Sequence, residues 1–210
     1  MPEAREEILE RIRSILGDCR SQPAHPPVPR NYMRAGQLDP EARLQLFLDR
    51  LRDYDSHVVE TTPAALPSTI AAILREHQQK KVIAAEGLPL EILPHDFTFL
   101  WEQEADLQDL NDCDGMITTC TVAIARTGTI VLTHGPGEGA RRLTLLPDRH
   151  LCIVRAEQVV ETVPEAFHRL AAFAKSPLTF ISGPSATADI EMTRIRGVHG
   201  PRFLDAVLVR

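Results

Sequence analysis

The chain has 210 residues, 43% hydrophobic and 25% charged, proportions that exclude disorder over most of its length. A formal net charge of -6 argues against a nucleic-acid duplex as the main partner, since phosphate backbones require a basic face, but leaves room for a local basic pocket. No apolar run approaches the ~20 residues that cross a bilayer, and the N-terminal MPEAREEILERIRSIL lacks a signal peptide's continuous apolar core, so the expected location is cytoplasmic.

Taken in order, Glu3 to Leu16 sets Ile8, Ile12, Ile15 and Leu16 on one helical face, with Gly17 placed to end the helix. Residues 21 to 37, SQPAHPPVPRNYMRAGQ, read as a proline-rich linker or extended arm. The expected division is a helical arm over 1–38, which folds back or packs on a neighbouring subunit as a homo-oligomer contact, and an α/β domain over 39–210. Asp39-Pro40-Glu41 gives an N-cap, a first-turn proline and an acid matched to the helix dipole, and Leu44, Phe47, Leu48 and Leu51 form the stripe that follows. Val58-Val59 as a strand, a helix from Pro67-Ser68 with Ile70, Ile73 and Leu74 inward, and the strand Lys81 to Ala85 predict a parallel βαβ unit. Residues 87 to 110 are less regular, and their acids read as a solvated helix face rather than metal ligands.

From Met116 to His134 the alternation predicts two strands meeting at Thr127-Gly128, with Gly128 at positive φ. Leu151 to Val154 reads as a buried strand, Pro164 to Phe173 as a helix and FLDAVLV as the last strand. Between them, Leu178 to Ile181 leads into Gly183-Pro184-Ser185 and then Thr187, Asp189 and Glu191, which predicts strand, turn and helix start with Ser185 as the cap. The local pattern favours an ordinary capped helix, and the same geometry would also make an anion site at the helix N-terminus.

Two glycine loops follow predicted strands, HGPGEGARR (134 to 142) and GPSATAD (183 to 189). Ligands of open α/β sheets collect beyond strand ends, and Arg141 and Arg142 offer forked donors for a carboxylate or phosphate. With the pair placed on a strand, consecutive side chains point to opposite faces, so at most one arginine reaches a given site. Neither loop matches GxxxxGK followed by Ser or Thr, nor GxGxxG, so neither ATP hydrolysis nor a nicotinamide cofactor is expected. His134 and His199 lie beside glycines and could handle a proton near neutral pH, or simply bond a nearby carbonyl. Asp189 and Glu191 are a poor acid/base pair on a helix, and Ser185 lacks the GxSxG elbow. Cys19, Cys113, Cys120 and Cys152 form no CxxC pair. They read as free thiols, without the thiolate run that holds an iron-sulfur cluster.

Three stretches, AIARTGTIVLTHGPGEGARRLTLLPDRHLCIV (123 to 154), FISGPSATADIE (180 to 191) and GVHGPRFLDAVLV (197 to 209), resemble the lactate utilization protein C family, whose common unit is the LUD domain. The match is strong over the second half of the chain and rests on general layout in the first. The resemblance implies an α/β, three-layer open sheet with helices on both faces, similar to sugar-phosphate isomerases and CoA-transferases. It also implies a place in bacterial L-lactate oxidation beside iron-sulfur proteins, with any cluster carried by the partners and no cofactor in this chain. It raises His199, in GVHGP, above His134. Arg126 stands where similar proteins usually carry an acid.

The expected site lies between the two glycine loops and takes a small anionic metabolite. Its ligand-binding positions are Thr127, Gly128, Gly135, Gly137, Gly139, Arg141, Arg142, Gly183, Ser185, Thr187 and Asp189, its catalytic position is His199, and it has no metal ligands. Three functions remain open: a component acting with iron-sulfur partners in L-lactate utilisation, an independent enzyme on a phosphosugar, acyl-CoA or organic acid, and a sensor of such a molecule.

Overall fold

The computed structural model describes residues 2–17, 29–187, 195–197 and 199–210. Its contacts divide the chain into two units, Met1–Tyr32 and Met33–Arg210. The first carries α1 (Pro2–Gly17), whose Ile8, Ile12, Ile15 and Leu16 are all exposed. The second takes in residues 33–38, grouped with the arm on sequence: the amides of Gln37 and Leu38 both donate to Glu161 Oε2, at 2.6 and 2.7 Å.

In the second unit α2 (Pro40–Asp53) starts as its sequence dictates, with Asp39 Oδ1 accepting the Ala42 amide at 2.9 Å. The strands β1 (His57–Thr61), β2 (Val82–Ala84), β3 (Phe99–Trp101) and β4 (Gly115–Thr118) follow, with α3 (Leu66–Glu76) and α4 (Leu107–Asp112) between them. Next come β5 (Val122–Ile124), β6 (Thr129–Leu132), β7 (Arg149–Arg155), β8 (Val159–Val160), α5 (Val163–Leu170), β9 (Thr179–Ile181), β10 (Ala186–Thr187), β11 (Ile195–Arg196) and β12 (Phe203–Val209).

The central sheet has the order β1-β12-β7-β4-β2-β3 and every pairing in it is parallel. The C-terminal strand therefore fills a central place, and β1 and β2 share the sheet without being neighbours. The apolar runs of β7 and β12 are buried on both faces, as parallel strands require. Leu151, Ile153, Val207 and Val209 pack with Ile70, Ile73 and Leu74 of α3. On the other face Cys152, Val154, Leu204, Ala206 and Leu208 pack with Phe47, Leu48 and Leu51 of α2, and with Ala123, Ile130 and Leu132 of a second sheet.

Helices thus lie on both faces, and one face also carries this second sheet, of order β8-β5-β6-β9. The outer side of the second sheet buries Val122, Ile124 and Val131 against Ala166 and Leu170 of α5. The two strands expected from Met116 to His134 are three: β4 belongs to the central sheet, and β5 and β6 form the hairpin in the other. Alternation alone does not reveal where a chain changes sheets, and here the change falls at Thr119, whose amide donates to the Gly137 carbonyl at 2.7 Å. The hairpin turn itself is as expected, with Gly128 at φ 57°.

The helix expected after Gly183-Pro184-Ser185 is replaced over Ala186–Thr187 by β10, paired antiparallel with β11. Asp189 and Glu191 lie outside the described residues. Arg141 and Arg142 stand in successive turns rather than on a strand, since the amides of Thr144 and Leu145 donate to their carbonyls.

Candidate functional site

The geometry of the 179–201 segment starts from a steric constraint. β9 pairs with β6, and the chain then turns at Gly183, with φ 89°. A Cβ there would come within 2.6 Å of Tyr54 Cβ and 3.0 Å of its carbonyl oxygen, so only glycine lets this turn approach the end of α2. Ser185 follows and is bound to the returning chain three times. Its amide donates to the Pro201 carbonyl (2.8 Å), its carbonyl accepts from Gly197 (2.8 Å), and its Oγ accepts the His199 amide (3.1 Å). The hydroxyl expected to cap a helix is used instead to close a loop, which accounts for the strand pair in the helix's place.

This loop walls a cavity of about 170 Å³. Arg141 and Thr144 enter it from the turn after the glycine loop, Thr179 to Ser185 from β9 and its turn, His199 to Pro201 from the returning chain, and His150 and Leu204 from the starts of β7 and β12. Four of the expected positions, Arg141, Gly183, Ser185 and His199, therefore share one cavity. Its described lining holds one guanidinium, two imidazoles and the hydroxyls of Thr144, Thr179, Ser182 and Ser185, and no carboxylate. A cavity so lined favours an anion on Coulombic grounds. Arg141 is exposed and donates through one nitrogen to Thr144 Oγ1 at 3.0 Å, leaving further guanidinium donors for a ligand.

His150 is a lining residue that sequence reasoning missed, as it missed Thr144, Thr179 and Ser182. It is buried on β7, its Nε2 lies 2.7 Å from Thr118 Oγ1, and its Nδ1 is buried without a hydrogen-bond partner. An orphaned imidazole nitrogen beside a polar cavity is a group that a ligand or a water would satisfy. The available signal was a histidine at the head of the otherwise apolar HLCIV run. Two residues on, the Cys152 thiol is held below its ordinary range, chiefly by a hydrogen bond from Cys120, with His150 and Thr118 assisting and burial opposing. The Cys120 thiol is pushed up by the same bond and by burial.

The other expected positions lie elsewhere. Gly135 and Gly139 line a second cavity, of about 500 Å³, together with Glu86, Gly87, Glu102, His134, Pro136 and Ala140. It sits just past the carboxyl ends of β2 and β3, and its described lining has two carboxylates and no Lys or Arg, so an anion is disfavoured there. Glu102 is buried and accepts the Ala140 amide at 2.8 Å. Gly137 serves the loop itself: its amide donates to the Glu86 carbonyl at 2.6 Å, and a Cβ would sit 2.8 Å from Thr119 Oγ1. His134 has both ring nitrogens engaged, Nδ1 at 2.7 Å from the Gly139 carbonyl and Nε2 at 2.7 Å from Thr179 Oγ1. A carbonyl only accepts, so Nδ1 carries the proton and Nε2 takes the threonine hydrogen.

Thr127 lines a third cavity with Arg50, Asp53, Tyr54, Arg126 and Ser182. A Cβ on the adjacent Gly128 would meet Arg50 Cβ at 2.8 Å. Arg142 is exposed and does not line the 170 Å³ cavity. Thr187 takes part in β10 through its backbone, and Asp189 lies outside the described residues. Arg126 has a structural partner: its Nε and Nη2 donate to Glu161 Oε1 at 3.1 and 2.6 Å. With the Leu38 and Gln37 amides this guanidinium holds the buried Glu161 carboxyl below the usual carboxylate range.

Comparison with known proteins covers almost the whole chain. Residues 4–209 match the model of the LUD domain. The lactate utilization protein C of Deinococcus radiodurans is 38% identical, over 99% of this chain and 96% of its own length. The protein of the same name from an Exiguobacterium species is 30% identical, over 98% and 95%. The crystal structure of a DUF162 family protein from Deinococcus radiodurans superposes with a TM-score of 0.72 at 34% identity, covering 83% of this chain and 100% of that one. The parallel sheet with its second sheet and the match over residues 4–209 agree, and the chain belongs to the LUD domain family.

Proposed function

We propose that the protein is a component of L-lactate utilisation, the oxidation of L-lactate to pyruvate, acting with iron-sulfur partner proteins. The observation that carries this reading is its 38% identity, over nearly the full length of both chains, to a lactate utilization protein C. No cofactor is assigned to this chain. Its described cysteines, Cys113, Cys120 and Cys152, are each buried, a setting ill suited to an exchangeable cluster, and the partners supply the redox centres.

Within this role the 170 Å³ cavity receives a small anionic metabolite. Arg141 supplies the cation, the Ser182 and Ser185 hydroxyls and the His150 ring supply directional hydrogen bonds, and His199 is the group placed to move a proton. Geometry supports this reading through the gathering of cation, imidazoles and hydroxyls, with no carboxylate among the described lining residues.

The test is a thermal-shift screen of the purified chain against L-lactate, pyruvate, phosphosugars and CoA esters, with a pull-down from a lactate-grown host. A ligand at 100 times its dissociation constant stabilises by about 2.7 kcal/mol. Stabilisation by L-lactate or pyruvate and co-purification of iron-sulfur proteins are expected. A response confined to phosphosugars or CoA esters, with turnover by the isolated chain and no iron-sulfur companion, would replace this reading with an independent enzyme.

A further inference from the structure

On the opposite face of the central sheet from the anion cavity, three elements bring together two imidazoles and a carboxylate. His57 opens β1 and is paired in register with Asp205 of β12, so the two side chains are neighbours on one face. That face is the one covered by α3, because Asp205 shares the parity of Val207 and Val209, which pack on that helix. α3 runs back between two parallel strands, so its C-terminus returns to the end of the sheet where the strands start, and its capping residue is His77. His57 Nδ1 lies 2.9 Å from Asp205 Oδ1 and His77 Nε2 lies 3.5 Å from the same oxygen. The three ligand atoms fall within 4.8 Å of one another.

We propose that His57, His77 and Asp205 bind a divalent transition-metal ion of the zinc type, with water completing a four-coordinate site. Bonds of about 2.0–2.1 Å in a tetrahedral array place ligand atoms about 3.3 Å apart, a spacing that the 2.9 and 3.5 Å separations bracket. His77 Nε2 is buried and makes no hydrogen bond. Facing a carboxylate oxygen at that range it is repelled if its lone pair points inward, and a cation seated between the two turns the repulsion into two bonds. Two imidazoles and one carboxylate suit zinc, cobalt or nickel, whereas magnesium and calcium prefer oxygen donors alone.

The surroundings fit such a centre. The Asp205 side chain is 1% exposed, while those of His57 and His77 are 38% and 23% exposed, which leaves an ion a way in from solvent. Arg149 donates to both Asp205 oxygens, at 3.0 and 2.9 Å, and fixes the plane of the carboxylate as outer-shell partners of metal ligands do. Its guanidinium lies over the Phe203 ring at 4.5 Å, which holds it in place from the other side. Because Asp205 and Leu204 point to opposite faces, the ion cannot touch a ligand in the anion cavity. Its effect is to fasten β1, β12 and the end of α3 together, and it adds stability by linkage. The inference is independent of the function proposed above.

The experiment uses the untagged full-length chain, stripped with a chelator and titrated with Co2+ followed by its visible d–d absorption, and with Zn2+ followed by melting temperature. Mg2+ at equal concentration is the control. The expected result is a tetrahedral cobalt spectrum at one equivalent, a rise in melting temperature with zinc and none with magnesium. His57→Ala and His77→Ala should each weaken binding by more than about 100-fold, exceeding the loss typical of an outer-shell change, and His199→Ala should leave it unchanged. Should an alanine variant fail to fold without metal, His77→Gln, which keeps the bulk of the side chain, is read in its place. No saturable binding by the wild type, or binding of equal strength in the His57 and His77 variants, would overturn the proposal.

Discussion

The loop from His134 to Arg142 serves two cavities of opposite electrostatic character. Its glycine end, Gly135 and Gly139, opens on a space lined by Glu86 and Glu102, while its far end sends Arg141 into a space with no carboxylate in its described lining. One run of sequence, HGPGEGARR, looks like a single anion-binding loop. The fold divides it, and the neighbours each half acquires decide its chemistry. Glycine content shows that a backbone can approach something closely, and the polar side chains that converge from beyond β2 and β3, from β7 and from the returning chain show what that something can be.

The largest expected effect falls outside both cavities, where Glu161 joins Arg126 to residues 37–38. Glu161→Ala removes the acceptor of Arg126 and of the Gln37 and Leu38 amides, and a loss of about 3 kcal/mol is expected in urea unfolding, as for several charge-assisted hydrogen bonds lost at once, reduced because the Arg126 side chain is 46% exposed. The pH dependence has a defined sign. Because Glu161 is held below the usual range in the folded state, its stabilisation is complete above the ordinary glutamate pKa of ~4.3 and is lost as pH falls through the lower folded value. Melting curves of wild type and Glu161→Gln should therefore converge on acidification below that point and stay apart at neutral pH.

A comparable effect separates the two cavities by shape. Gly183→Val forces a branched side chain into positive φ and against Tyr54, which should cost about 3 kcal/mol and close the cavity that Arg141 lines. The acidic cavity, in contrast, should keep its structure, read from the hydrogen-exchange protection of the Ala140 amide. The smallest change sharpens the comparison from the other side. Glu102→Gln keeps the acceptor of Ala140 but removes a charge. About 1 kcal/mol of stability should be lost, with anion binding at Arg141 unchanged by calorimetry.

Much of the fold was legible because its determinants are local. Asp39-Pro40-Glu41 opens α2 where capping chemistry places it, the hairpin turns at Gly128, and FLDAVLV coincides with β12 from Phe203 to Val209. What escaped depends on partners far along the chain. Ser185 reads as a helix cap until its hydroxyl is seen to accept the His199 amide. Arg126 reads as a displaced functional position until Glu161 is found beside it, 35 residues on. His150 gives no motif, and its unpaired Nδ1 is visible only once the fold buries the ring and sets Thr118 of β4 against Nε2. Glycine placement and charge singled out the Gly183 turn and Arg141, and the family resemblance singled out His199; the three line one cavity, whereas the division of the glycine loop between two cavities left no mark in the sequence.

The most direct measurement is an isothermal titration of wild type, Arg141→Ala and Arg142→Ala with L-lactate and pyruvate. Both arginines are exposed and adjacent, so both variants should stay within about 0.5 kcal/mol of wild-type stability, and only Arg141 of the two lines the 170 Å³ cavity proposed to take the anion. The predicted result is wild-type affinity in Arg142→Ala and a loss of roughly 10-fold to 100-fold in Arg141→Ala, the worth of one charge-assisted contact. Equal affinity in all three proteins, or no binding in any, would contradict the assignment of this cavity as the anion site.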